Sequence, residues 1–397
     1  MKMKRNGLPV LILFFLFGFA LISEAAEKWS GSGMLLTEPG QVPILFLRGN
    51  PAEMGRAHGE LLKPEIQEMF NRILLVAGAY MYTKNDWFPD RISEVEQRSG
   101  KFTPPRFLEE ADAMSRAAGL TVPEGRALNF FPEMFHCSGI ALHGKATVGG
   151  RVLHARVLDY MRDIGLQKFA VIQVFMPEKY NTWVSFGFAG LNGTVTAMNI
   201  EGLAIGEMGG RGEGKWDGLP MSYLMRRVME ECRNVEEALK IIRETPLTCE
   251  YYYVLSDRSG NMAAIEARAG SPPVVLRPNE KHPLLPAAYE DVVYVSGGAR
   301  ASHLSNRIRD HYGKFTPELL REIIRRPVAM KSNLQNVIFQ PETLDADFAY
   351  AGKTSPACDE PYTRINLRKL VEYYRDARTK HLQAPESSAS RTSPAKK

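Results

Sequence analysis

Cys137 is the side chain with the greatest nucleophilic potential here, set in Phe135-His136-Cys137-Ser138-Gly139-Ile140; nineteen residues on comes Arg156-Val157-Leu158-Asp159-Tyr160. A free thiol titrates near 8.5, and a neighbouring guanidinium lowers that value and enlarges the thiolate fraction near neutral pH. Arg156 is placed for that task. A thiolate attacking a carbonyl also needs donors aimed at the negative charge that develops on oxygen. Asn192, in Gly190-Leu191-Asn192-Gly193, and Asn199, in Met198-Asn199-Ile200-Glu201-Gly202-Leu203, are the candidates. His136, His143 and His154 with Cys137 would suffice in number for zinc. Their placement argues against it, because His143 and His154 fall on separate expected strands and no acidic or Cys-x-x-Cys supplement accompanies them. The expectation is no metal and no cofactor: the run Gly209-Gly210-Arg211-Gly212-Glu213-Gly214 lacks the strand-to-helix setting of a dinucleotide fingerprint. A papain-like Cys/His pair is disfavoured because the local signature around its cysteine is missing.

The elements that must hold these groups change character at Cys137. Before it, Val42–Leu47 reads as a short strand, and Asn50-Pro51-Ala52-Glu53 as a helix start with Asn as the cap and Pro in the first turn. Further helical patterning covers 105–118 and follows Val122-Pro123-Glu124. His58 reads as a packed helix histidine. After Cys137 come apolar strand-like runs at 139–142, 151–158, 169–175, 182–188, 193–199 and 203–207, divided by Gly, Pro or Asn turns. Helices are expected at 219–232 and from Asn234, strands at 251–256, 262–267 and 292–295, helices at 302–312 and 316–325, strands at 334–339 and 346–351, and a last helix from Tyr362. Strands, helices, strands, helices in that order suit two sheets packed face to face and covered by helices, an α+β fold.

The cysteine followed by Arg-x-x-Asp on a hydrophobic strand resembles the N-terminal-nucleophile (Ntn) hydrolases, in particular peptidase family C45 with the acyl-coenzyme A:6-aminopenicillanate acyltransferases, the choloylglycine hydrolases and the acid ceramidases. Arg48-Gly49-Asn50-Pro51-Ala52-Glu53-Met54-Gly55 and Lys331-Ser332-Asn333-Leu334-Gln335-Asn336-Val337 extend the resemblance over nearly the whole chain. It implies a four-layer αββα sandwich with a helical N-terminal segment. It further implies self-cleavage between His136 and Cys137, after which the freed α-amine of Cys137 serves as base for its own thiol. By the same resemblance Arg156 steadies the nucleophile and Asp159 holds the α-amine. Two departures stand out: Val295-Ser296-Gly297-Gly298 occupies the place of the family's Thr-Asn-His, and Ala204-Ile205-Gly206-Glu207 ends in a carboxylate where the choloylglycine group has another Asn. A carboxylate cannot donate unless protonated.

Met1-Lys2-Met3-Lys4-Arg5, an apolar run over 8–22 and the small residues around Ala25 read as an export signal. The run is shorter than the roughly 20 residues that span a bilayer. The expected divisions are a signal at 1–25, a helical pro-region or α-chain at 26–136, the catalytic chain at 137–382 and a disordered, Ser-, Pro- and Lys-rich tail at 383–397. Loss of the signal lowers the formal charge from +5 to +3, with no basic stripe, so no nucleic-acid partner is expected. Besides Cys137, three cysteines remain in an exported chain; a framework is not expected, and one bridge stays open. The reading is a periplasmic or extracellular hydrolase or acyltransferase that acts on a linear amide of a small N-acyl compound. The competing class is a noncatalytic envelope or binding protein that keeps the fold. Oligomeric state, acyl group and amine are open.

Overall fold

The computed structural model describes residues 25–83, 88–130, 136–160 and 162–384. All but the last residue of the expected export signal, and the tail beyond 384, lie outside them. Three strands, β1 (Ala26–Ser30), β2 (Gly33–Thr37) and β3 (Ile44–Gly49), precede five helices: α1 (Pro51–Leu61), α2 (Lys63–Tyr82), α3 (Phe88–Ser99), α4 (Pro105–Ala118) and α5 (Val122–Phe130). The expected start of α1 is a complete capping box, with Asn50 Oδ1 accepting from Glu53 N–H at 3.0 Å and the Glu53 carboxylate accepting from Asn50 N–H at 2.9 Å.

The chain then forms β4 (His136–Gly144), β5 (Gly150–Asp159), β6 (Ala170–Pro177), β7 (Trp183–Phe188), β8 (Thr196–Asn199) and β9 (Ala204–Gly209). Next come α6 (Met221–Glu231), α7 (Val235–Glu244), β10 (Glu250–Ser256), β11 (Met262–Arg268), β12 (Val274–Leu276) and β13 (Val292–Val295). The last part holds α8 (Ala299–His311), α9 (Pro317–Ile323), β14 (Asn333–Gln340), β15 (Asp345–Tyr350), β16 (Thr363–Asn366) and α10 (Leu367–Gln383). One correction concerns the end of the chain: the last helix starts at Leu367, not Tyr362, because 363–366 is drawn into a ladder with β15.

Two sheets result, one ordered β1-β2-β3-β6-β7-β8-β9-β10-β11-β12 and the other β13-β4-β5-β14-β15-β16. The segment before Cys137 is therefore not only helical. Its strand β3 runs parallel to β6, Ile44 opposite Ile172 through Gly49 opposite Pro177, which builds residues 26–49 into the larger sheet.

The sheets pack face to face, and the packing is close where β4 and β5 meet β9. A Cβ on Gly206 would lie 2.5 Å from Arg156 Cγ, and one on Gly139 would lie 2.9 Å from Met208 Sδ. Glycine at both positions lets the layers approach. Leu304 and Ile308 of α8 with Leu320 and Ile323 of α9 bury against Ile140, Val157 and Ile338 on the outer face of the smaller sheet. On the larger sheet, Arg226 of α6 stacks over Phe175 and Trp183. The architecture is a four-layer αββα sandwich of the α+β class.

Candidate active site

Cys137 sits one residue into β4, opposite Leu158 of β5, with His136 opposite Asp159 and Gly139 opposite Arg156. Residues 156 and 159 are an odd number apart on one strand, so their side chains leave opposite faces of the sheet. Arg156 points inward, between the sheets, on the side that carries the Cys137 thiol. Asp159 ends the strand on the outer side, beside the main chain of His136 and Cys137. The Arg-x-x-Asp spacing thus delivers a cation toward the sulfur and a carboxylate toward the peptide link before it.

Each group has defined partners. Arg156 is fully buried; its Nε donates to the Glu207 carbonyl at 3.1 Å and its Nη2 to Glu207 Oε2 at 3.3 Å. Asp159, 3 % exposed, accepts from Met330 N–H at 2.9 Å and from Arg300 Nη1 at 2.5 Å. Arg300, in the first turn of α8, also donates through Nη2 to the Cys137 carbonyl at 3.2 Å. Ser138 Oγ and Ser296 Oγ lie 2.7 Å apart. Burial pushes the Cys137 thiol up to about 12; Arg156 opposes that, while Glu207 and Asp159 reinforce it. Burial likewise lifts Asp159 to about 6 against the pull of Met330 N–H and Arg300.

A cavity of about 200 Å³ opens where the edge strands β12 and β13 come together, with Cys137 in its wall. Met208, Ile265, Leu276 and Leu285 make much of it apolar. At one side stand Glu266 and His282, paired at 3.1 Å, with Arg268 on the other Glu266 oxygen at 2.6 Å. Ser296, Gly297 and Gly298 complete the wall next to the cysteine. Gly298 caps α8 with no side-chain bond, and Ala301 N–H donates to its carbonyl at 3.1 Å.

The expected donors are elsewhere. Asn192 is fully buried, donates through Nδ2 to the Phe107 carbonyl at 3.3 Å and accepts from the Tyr223 hydroxyl at 3.1 Å. Asn199 donates to the Met229 and Cys232 carbonyls at 3.0 and 2.7 Å and accepts from Glu201 and Leu203 N–H. Neither lines the cavity; both are staples of buried turns, their amide groups used up by main chain and Tyr223. The groups at the cavity that sequence reasoning passed over are Arg300, Ser296, Glu266 and His282. Only Ser296 carried a signal, as the residue standing where the family has Asn.

The other early candidates are also placed. His143 faces Asp291 at 3.6 Å, and His154 bonds Ser256 at 2.9 Å. His58 is buried and accepts from Gly190 N–H at 3.1 Å. All four cysteines are buried, and no disulfide joins them. Among the described residues no three His, Cys, Asp or Glu side chains converge as metal ligands, and no helix is long and apolar enough to cross a membrane.

Comparison with known proteins bears on the same region. The model of the family "acyl-coenzyme A:6-aminopenicillanic acid acyl-transferase" matches residues 157–284, which run from the residue after Arg156 to the cavity wall. The chain is 24 % identical over 385 residues to protein dcd1B of Dictyostelium discoideum, covering 83 % of this chain and 75 % of that one. It is 24 % identical over 203 residues to the N-acylethanolamine-hydrolyzing acid amidase of Rattus norvegicus, covering 48 % of this chain and 55 %, little over half, of the amidase. Among solved structures it is similar to the Caenorhabditis elegans ortholog of that amidase (TM-score 0.43, 16 % identity, 52 % of this chain and 93 % of that one). Penicillin V acylase from Agrobacterium tumefaciens is similar at TM-score 0.40 and 14 % identity, over 59 % of this chain and 87 % of that one. Residues 157–284 thus resemble the acyl-coenzyme A:6-aminopenicillanic acid acyl-transferase family, and about half of the chain resembles N-acylethanolamine-hydrolyzing acid amidases.

Proposed function

We propose that this protein is an exported, self-processing amide hydrolase or acyltransferase whose nucleophile is Cys137. The observation that carries the reading is the setting of Cys137: a cavity wall that it shares with Arg300, a buried guanidinium, Arg156, on its face of the strand pair, and Asp159, paired in register with His136 and held by Arg300. In the uncut chain the thiol has no α-amine to take its proton. Cleavage between His136 and Cys137 would free an α-amine that Asp159 orients and that takes the thiol proton. The thiolate then attacks the amide carbonyl, the amine leaves with that proton, and water or a second amine accepts the acyl group. With Asn192 and Asn199 engaged elsewhere, the oxyanion donors proposed are the Ser296 hydroxyl and backbone N–H groups at the start of α8. A cavity of about 200 Å³ is little larger than the roughly 150 Å³ that holds benzene. It therefore suits a compact acyl group, phenylacetyl-sized or a short alkyl chain.

The test is the mass and N-terminal sequence of the mature protein. The expected result is two chains, the larger beginning at Cys137, with Cys137→Ala leaving one uncut chain and abolishing turnover on an acyl-length series of N-acyl anilides. An active preparation with the 136–137 bond intact would refute the mechanism. The high titration of the buried thiol favours a second reading, a noncatalytic binding protein; one uncut chain that cleaves no member of the series would decide for it.

A further inference from the structure

Arg156 is not held by the cysteine it faces. Its side chain passes over Gly206, where a Cβ would lie 2.5 Å from Cγ, and closes on Glu207 through the carbonyl at 3.1 Å and the carboxylate at 3.3 Å. Both residues are fully buried. A guanidinium lowers a neighbouring thiol through its net charge, and a carboxylate locked onto that guanidinium takes part of the charge away. In the low dielectric between two sheets neither charge is screened by water. The same contact fixes the guanidinium in place, since a planar fork bonded at two points has little freedom left.

We infer that Glu207 is a positioning residue for Cys137: it seats Arg156 by a buried ion pair and sets how much of the guanidinium's charge the thiol feels. The opposed influences of Arg156 and Glu207 on Cys137 agree with this geometry. The other groups facing the site are Asp159 on β5, tied to Arg300 of α8; Tyr160, which follows β5; Tyr350 on β15, on the Arg156 side; Tyr252 and Tyr294 in the cavity wall; and His154, which burial holds neutral by lowering it to about 3. Across the cavity stand Glu266 and His282, paired with each other. Arg156 bonds Glu207 at two points, so Glu207 is the partner through which its charge is adjusted. The consequence for a working enzyme rests on the proposed function: with Arg156 compensated, the thiol awaits the positive charge that a freed α-amine brings.

The experiment is a charge cycle read by alkylation. Iodoacetamide labelling of Cys137 is followed by peptide mass mapping across pH in wild type, Glu207→Gln, Arg156→Gln and the double variant, with intact and cut chains resolved by mass. One pH unit of change in a thiol's titration is tenfold in thiolate below its midpoint. Glu207→Gln should label about tenfold faster near neutral pH, Arg156→Gln about tenfold slower, and the double variant within about threefold of wild type. A Glu207 that is merely structural would change thermal unfolding and leave the labelling profile in place. Equal labelling in Glu207→Gln and wild type, or single changes of the same sign, would overturn the inference. A buried Arg left without its partner can unfold the chain. Should Glu207→Gln not fold, the double variant against Arg156→Gln alone decides, because the second substitution must restore the reactivity that the first removed. Labelling requires no turnover, so a wild type that cleaves no amide counts against the hydrolase reading and leaves this test standing.

Discussion

Asp159 and Arg300 make the acid side of the chemistry testable at the level of single residues. A carboxylate whose titration is lifted from its usual 3.9 or so to about 6 by burial favours the folded state in its protonated form. Its stabilising contribution is complete below about pH 4 and is lost as pH rises through about 6. Its proposed work runs the other way, since only the ionised form orients a freed ammonium. Turnover by the cut protein should therefore fall off on the acid side, as pH drops below about 6. Arg300→Gln removes a cation that holds the carboxylate down, so the acid limb should move to higher pH. The measurement is turnover of an N-acyl anilide across pH by the cut form of both proteins. An unmoved limb would make the 2.5 Å contact a bridge between α8 and β5 without influence on the reaction.

Elements decide which of these residues could be read in advance. The Arg-x-x-Asp pair was legible because it is local: both residues sit on one strand, and strand parity fixes their faces. Arg300 was not, because 163 residues separate it from Cys137 and nothing in one Arg of a helical first turn announces where that helix docks. The same blindness applies to Asn192 and Asn199. A Gly-flanked Asn promises a donor, but whether that donor is free depends on Phe107, Tyr223 and Met229, which arrive from other elements. Many strands and helices were legible from apolar period and turn residues; β1, β2, β12, α2 and α3 were not read, β1 because Ala26–Ser30 is mostly exposed and polar, and 363–366 became a strand only through its ladder with β15. The structural part given to Asn192 has its own test. Asn192→Ala leaves the buried Phe107 carbonyl and Tyr223 hydroxyl without that partner, a cost of about 1–3 kcal/mol. Denaturant unfolding should register that loss while Cys137 labelling of the folded protein stays at the wild-type rate; slowed labelling would return Asn192 to the site.

At the scale of the whole molecule, a chain proposed to cut itself at 136–137 must remain one body afterwards, and the contacts across the cut supply the reason. Strand β3 from before the cut is laddered in parallel to β6 from after it over six residue pairs. Asn129 at the end of α5 accepts from the backbone N–H groups of Asn192 and Gly193 at 2.8 and 3.3 Å. The largest polar joint is Arg226 of α6, bonded to Glu110 of α4 at 2.6 Å and to Glu230 at 2.8 Å, all three nearly or fully buried. Truncating one partner of a buried charge cluster costs about 3–5 kcal/mol because the others are left uncompensated. The two cut chains should thus co-elute on gel filtration under native conditions and separate only in denaturant. Arg226→Leu, which strands Glu110 on one side of that joint and leaves Glu230 with Arg106 at 3.1 Å, should lower the denaturant concentration at which the chains part, although it lies outside the Cys137 cavity. If the N-terminal chain instead falls away from the wild-type protein on cleavage without denaturant, residues 26–49 cannot be an integral part of the larger sheet in the processed protein, and the ten-stranded order would hold for the uncut chain alone.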